Sequence, residues 1–305
     1  MKHKISKLML FAALIPLWGC VEVKDKEVTV TPPAAPAPKV IERKFSDLVV
    51  NQDLYLYKGG FRTKQEMDAL IANEGLLRDV ETYSLQFQKI IFSAEGRLFT
   101  MGNVVTLKAE ELISEEGHIL TFPEGQVAPL GYDGRHGGHI ALIITNAEGL
   151  LNIVLRGENG GQGHPGKDPD LALKGKKGRD ANGGLCVNGN IREACTPDSG
   201  EQGLPGYQGL PGYRGGNTGT LSLEIKSKSE FQPKIYRLVG KGGPGGVGGK
   251  GGQGGDGGDS INRKKPRVGA GSQGPEGPQG KPGPDGQDGI QESACAVNES
   301  GANCI

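Results

Sequence analysis

The chain has 305 residues, 35 basic and 35 acidic side chains, and a formal net charge of zero. That balance excludes the strongly basic surface a nucleic-acid binder uses to neutralise phosphates. With 53 glycines against 8 Phe, 7 Tyr and 1 Trp, a single large apolar core is excluded for the glycine-rich part.

Residues 1–19 have the layout of a secretion signal. Lys2, Lys4 and Lys7 precede a short apolar stretch from Leu8 to Leu17, too short to span a bilayer. It ends in Leu17-Trp18-Gly19-Cys20, which resembles the lipobox of bacterial lipoproteins. The resemblance implies that Cys20 is acylated and becomes the first mature residue. Each buried CH₂ then adds about 0.8 kcal/mol of membrane affinity. Val21, where enterobacterial lipoproteins retained at the inner membrane carry Asp, implies delivery to the outer membrane. An ordinary signal peptide with an incidental Cys20 is the alternative.

Residues 20–44 are expected to be a tether. The run Thr31-Pro32-Pro33-Ala34-Ala35-Pro36-Ala37-Pro38 is extended and semi-rigid by composition. Residues 45–138 have globular composition and are expected to form a small, mostly β domain. Thr63-Lys64-Gln65-Glu66 fits a capping box, and Met67, Leu70 and Ile71 follow at helical spacing, so one short helix is predicted. After Tyr83 the alternation of apolar residues predicts short strands, punctuated by Glu95-Gly96, Glu116-Gly117, Glu124-Gly125 and Glu148-Gly149. The expected fold class is mainly β plus polyproline II. A small β-solenoid or open β-meander is followed by a disulfide-closed, glycine-rich helix bundle.

Residues 139–305 read as two related units, 139–215 and 219–305. Each is expected to open with a β-hairpin: 139–144 with 151–155, and 220–225 with 234–239. Each then continues into glycine at every third position. Four such runs appear, at Gly157–Gly166, Gly200–Gly215, Gly242–Gly258 and Gly271–Gly289. Period three matches the turn of a polyproline II helix, whose N–H and C=O groups find no partner within the helix and need neighbours. The run from Gly242 carries two glycines per turn (Gly242-Gly243-Pro244, Gly245-Gly246-Val247), and the others carry one. Two bare edges predict contact on two sides, so residues 242–258 are expected at the centre. The Gly-X-Y runs resemble those of bacterial collagen-like lipoproteins and, more loosely, proteins with polyglycine II bundles. A homotrimeric collagen-like stalk is the rival, but six triplets span only about 60 Å, and the intervening loops favour folding back within a monomer.

Cys186, Cys195, Cys295 and Cys304 fall in two equally spaced pairs. In an oxidising envelope compartment disulfides 186–195 and 295–304 are expected. Zinc is disfavoured because CxxC spacing is absent.

Candidate binding residues are the stripe Leu204, Tyr207, Leu210 and Tyr213, and the basic cluster Arg263, Lys264, Lys265 and Arg267. The stripe is either a contact face for a glycan or partner, or packing against the neighbouring sheet. The cluster could attract anionic polysaccharide or headgroups, or be a solvated loop. His136 and His139 lack a completing ligand set, and Gly251–Asp256 matches a calcium nonapeptide only in part, so no metal is expected. Gly240-Lys241-Gly242-Gly243-Pro244-Gly245 is a chance GxGxxG in a glycine-dense stretch. There is no P-loop or nucleophile elbow, and no catalytic residue or cofactor is predicted. The expected function is a lipid-anchored structural or adhesive envelope protein that offers a rigid surface to polysaccharide or an envelope protein. An enzyme acting on polysaccharide is the alternative, and carboxylates grouped on one sheet face would favour it.

Overall fold

Tyr83-x-Leu85-x-Phe87, Val105-x-Leu107-x-Ala109, Ile140-x-Leu142-x-Ile144 and Leu221-x-Leu223 each alternate with the period of a strand, which puts one apolar set on one face. The computed structural model stacks these segments in parallel. It describes residues 39–75, 78–167, 169–181, 196–260, 270–292, 295–298 and 301–304, the last two as backbone. Residues 38–305 belong to one compact unit.

The elements in chain order are β1 (Val40–Lys44), β2 (Asp47–Val50), β3 (Asp53–Tyr57), β4 (Gly60–Thr63), α1 (Lys64–Glu74), β5 (Thr82–Phe92), β6 (Arg97–Phe99), β7 (Val104–Leu120), β8 (His139–Arg156), β9 (Thr220–Leu238), β10 (Cys295–Asn298) and β11 (Gly301–Cys304). The fold is mainly β, and its large sheet is curled and open. Strands β5, β7, β8 and β9 lie side by side in parallel, with Tyr83, Val105, Ile140 and Leu221 in one register. Beyond a corner, β3, β6 and the end of β7 pair in parallel as well. Among the described residues antiparallel pairing is confined to β3–β4 and β10–β11.

The structure departs from expectation in two places. The hairpins proposed for 139–155 and 220–239 do not form: each stretch is one long strand, β8 and β9. Glu148-Gly149 was the reason for expecting a turn. Gly149 does take φ +86°, but the chain only bends there, and a Cβ at Gly149 would lie 2.0 Å from the Ser114 carbonyl oxygen. Glu116-Gly117 is likewise a bend within β7, beside a register shift. Glu95-Gly96 and Glu124-Gly125 are true turns, closed by Gly96 N–H to Ser93 O and Gln126 N–H to Pro123 O. The second departure concerns boundaries. β1 begins at Val40, inside the segment read as tether, and β7 pairs with β8 along its length, so 138/139 divides no domains.

The core fills the inside of the curl. Tyr83, Leu85, Phe92, Leu98, Val105, Ile119, Ile140 and Ile153 are fully buried. Outside the corner, α1 covers a smaller cluster of Tyr55, Tyr57, Phe99, Met101 and Phe122 with Met67. The capping box holds: Thr63 N–H donates to Glu66 Oε2 at 2.7 Å and Glu66 N–H to Thr63 Oγ1 at 3.4 Å. Phe45 stacks on Phe87 at 5.2 Å and closes the first rung.

His139 sits at the start of β8, its Nδ1 2.8 Å from Thr220 Oγ1. Burial pushes its imidazole below the ordinary value of 6.5. His118 is also lowered, first by burial and then by the Arg97 guanidinium, against a weaker opposing pull from Glu116. Both folded values are depressed, so the unfolded chain binds more protons below about pH 6.5. Their stabilisation is complete above that pH and is lost as pH falls through the folded values. Urea melts at pH 7.5 and 5.5 should show this loss, and His139→Gln should reduce the difference.

Candidate functional site

Glycine at every third position frees one side of an extended chain, and the structure shows what occupies each freed side. Four glycine-rich segments leave the sheet and return to it: run 1 (157–181), run 2 (196–219), run 3 (239–260) and run 4 (270–292). Their hydrogen bonds are made between runs. Run 1 donates to run 3, as Gly163 N–H to Pro244 O at 2.9 Å. Run 2 donates to run 1 through Leu210 N–H to His164 O at 2.9 Å, and to run 4 through Gly209 N–H to Lys281 O at 3.0 Å. Run 3 donates to run 2 through Gly246 N–H to Leu210 O, and run 4 to run 3 through Gly283 N–H to Gly246 O, both at 2.8 Å.

Runs 2 and 3 each touch all three other runs, whereas no backbone hydrogen bond among the described residues joins runs 1 and 4. The expectation that residues 242–258 lie centrally therefore holds, but the centre is shared. Run 2 is equally central with one glycine per turn. The reason is visible in what a Cβ would meet. Glycines of run 1 face carbonyls of run 2, as Gly163 against Leu210 O at 2.2 Å. Glycines of run 2 face run 3, as Gly209 against Gly246 O at 2.0 Å. The first glycines of run 3 face run 4, as Gly245 against Gly283 O at 1.9 Å. Its second glycines face run 1, as Gly246 against His164 O at 1.9 Å. Glycines of run 4 face run 2, as Gly283 against Leu210 O at 2.0 Å. Every contact between two runs thus needs one bare column, supplied by one partner only. Run 3 supplies two columns, to runs 1 and 4, while run 2 receives theirs and supplies one. Glycine density counts the gaps a run provides, not its neighbours.

Run 1 extends further than its obvious period. Gly175 and Gly178 resume the spacing and donate to Gln253 O and Asp256 O. Between them and Gly166 lies a 3-10 turn at Leu171–Leu173, capped by Asp170 Oδ1 accepting from Ala172 N–H. The Leu173 carbonyl bridges the interruption by accepting from Leu204 N–H at 2.7 Å.

At the base, Glu158 joins runs to sheet. Its side chain is fully buried and pairs with Arg135 at 3.2 Å and Arg78 at 3.3 Å. It also accepts from Arg135 N–H at 3.0 Å. The Arg78 contact is an ion pair without hydrogen-bond alignment. The Glu158 carbonyl accepts from Gly216 N–H at 2.8 Å, which ties run 1 to run 2 at the same point. Sequence reading missed Glu158 because one acidic residue in a glycine run carries no signal of burial.

Leu204, Tyr207, Leu210 and Tyr213 follow the glycines of run 2. Three of the four are open to solvent: Leu204 and Leu210 are about half exposed, at 51% and 50%, and Tyr207 at 38%, whereas Tyr213 is half-buried. Packing against the sheet does not hold for those three. These residues share the side next to run 1, where the Tyr207 hydroxyl donates to Asp170 Oδ2 at 3.0 Å. Cys20, Cys186, Cys195, Arg263, Lys264, Lys265 and Arg267 lie outside the described residues. Cys295 and Cys304 are opposite each other in the β10–β11 backbone register. His136 Nδ1 accepts from Asn217 N–H, and no group of metal-ligating side chains occurs among the described residues.

The outer face beyond the corner carries two rows across the parallel strands. One is Tyr55, Phe99, Leu120, Val154 and Tyr236. The other is Asp53, Arg97, His118, Asn152 and Lys234. The polar row has a single carboxylate, Asp53, and Arg97 already holds it at 2.6 Å.

Comparison of the chain with known protein families, characterised proteins and solved structures finds no match.

Proposed function

We propose that this is a lipid-anchored cell-envelope protein of structural or adhesive kind. Its four glycine runs form a polyproline II bundle that presents a stiff face to polysaccharide or to an envelope partner. The observation that carries the reading is the exposed Leu204–Tyr207–Leu210 stripe on a frame whose N–H groups are bonded between runs. Apolar and aromatic side chains on a rigid backbone lose little entropy on binding. The anchor rests on Cys20 and the outer-membrane address on Val21, as the lipoprotein resemblance implies. The register of Cys295 with Cys304 supports a disulfide there, and peptide mapping without reductant is expected to recover those two cysteines joined.

The collagen-like trimer is disfavoured because the glycine N–H groups that would cross between chains are used within one. Sedimentation of the chain without its signal should give a monomer mass. Hydrolysis of a glycosidic bond generally uses two flanking carboxylates; Asp53, Asp68 and Glu124 line one cavity, but Arg97 holds Asp53 and Lys64 holds Asp68, so the polysaccharide-active alternative stays second. The test of the binding reading is retention of the mature chain on envelope polysaccharide and on detergent-solubilised envelope protein. Leu204→Ser/Leu210→Ser, both at exposed positions, should keep the fold and lower retention about tenfold. Retention unchanged by the pair, or none by the parent chain, contradicts the reading.

A further inference from the structure

On the outer face of the sheet, at the foot of run 1, a cavity of about 390 Å³ opens between α1 and the 123–126 turn. That volume falls within the range of small-ligand sites. Its floor is Tyr55, Phe99 and Leu120, adjacent in the cross-strand row, with Arg156 at the end of β8. Three cations line it, and two are matched. Arg97 holds Asp53 through Nε at 2.6 Å and Nη2 at 3.1 Å. Lys64 pairs with Asp68 at 3.2 Å.

Arg156 is different. Its guanidinium makes no hydrogen bond or ion pair with any described residue, and its Nε is buried without a partner. Glu124 also lines the cavity but does not reach it. A buried donor on a charged group is unfavourable when left unpaired. Arg135 is the opposite case, engaged by Glu158 through both its backbone N–H and its guanidinium.

We propose that this cavity binds an acidic sugar, its carboxylate taken by Arg156. A guanidinium fork matches a carboxylate or a phosphate in two parallel hydrogen bonds, and the carboxylates already lining the cavity, Asp53, Asp68 and Glu124, favour the less highly charged of the two, a carboxylate. The rest of the wall defines the body of the ligand. Asp53, Asp68 and Lys64 keep hydrogen-bonding capacity beyond their ion pairs, which suits hydroxyl groups. Burial, with Asp53 next, raises the Tyr55 hydroxyl above its ordinary value, so it remains a donor. Leu120 and Phe99 supply an apolar base for a ring face. The site is separate from the stripe on run 2, and it stands or falls independently of the adhesive reading.

Titration calorimetry of the mature chain with galacturonate, its trimer and galactose tests this. Galacturonate is expected to bind at least about tenfold more tightly than galactose. Arg156→Gln should abolish that preference, and Arg156→Lys, which keeps charge but not the fork, should retain part of it. A trimer that binds more tightly than the monomer assigns the site to a glycan chain, and equal binding assigns it to the free sugar. Both outcomes support the proposal. Equal affinity for galactose and galacturonate, no binding of either acid, or a preference that survives in a folded Arg156→Gln overturns it. If Arg156→Gln does not fold, the acid-to-neutral contrast in the parent and Arg156→Lys still decides.

Discussion

Replacing Gly246 by alanine is expected to destabilise the chain by about 2–4 kcal/mol, while Val247→Ala, its immediate neighbour, should change stability by no more than about 0.5 kcal/mol. The contrast follows from the second glycine column of run 3. A Cβ on Gly246 would sit 1.9 Å from the His164 carbonyl oxygen, and that atom belongs to backbone. Runs 1 and 3 would have to separate there. Separation threatens Gly163 N–H to Pro244 O and Gly166 N–H to Val247 O, both within one turn. Val247 is 55% exposed and loses little on truncation. Gly245→Ala should cost as much as Gly246→Ala, because its own Cβ would meet Gly283 O at 1.9 Å. Denaturant melts of the three variants check this.

Glu158→Ala is expected to cost about 3–5 kcal/mol, the cost of removing one partner from a buried ion pair. Arg135, only 10% exposed at its side chain, would lose the carboxylate it pairs with. Its guanidinium lies 4.9 Å from the Phe122 ring centre, a contact too weak to replace a carboxylate. Glu158→Gln keeps an acceptor for Arg135 N–H and should cost less. Because Glu158 also spans sheet and runs, we expect the alanine variant to lose protection in runs 1 and 2 together. Hydrogen exchange with mass readout of peptides from both runs measures this.

The parts of the fold that were legible in the sequence are those written in local spacing. The capping box at Thr63–Glu66 names α1 by itself. Period-three glycine marks the runs because a missing side chain is required wherever another backbone passes at about 2 Å from the Cβ position. The doubled glycine of run 3 shows that it yields on two sides. What stayed illegible depends on partners distant in the chain. Glu148-Gly149 has the composition of a turn, yet the neighbouring β7 and β9 continue past it on both sides and hold β8 as one strand. Run 2 looks peripheral because the gaps it shares with runs 1 and 4 are provided by their glycines. Gly175 and Gly178 keep the phase of Gly166, but the two places between them hold Pro169 and Ala172, and the chain there makes the 3-10 turn at Leu171–Leu173. Arg156 ends an ordinary apolar strand, and only the cavity around it shows that its charge is unmatched.

Amide exchange in run 3, read residue by residue by NMR, bears most directly on the arrangement of the runs. Gly243, Gly246, Gly249, Gly252, Gly255 and Gly258 all donate to run 2. Gly248, Gly251 and Gly254, each beside one of them, donate to no described residue. Slow exchange in the first set interleaved with fast exchange in the second is the predicted pattern. Uniformly fast exchange across both sets, or equal protection of both, would contradict it.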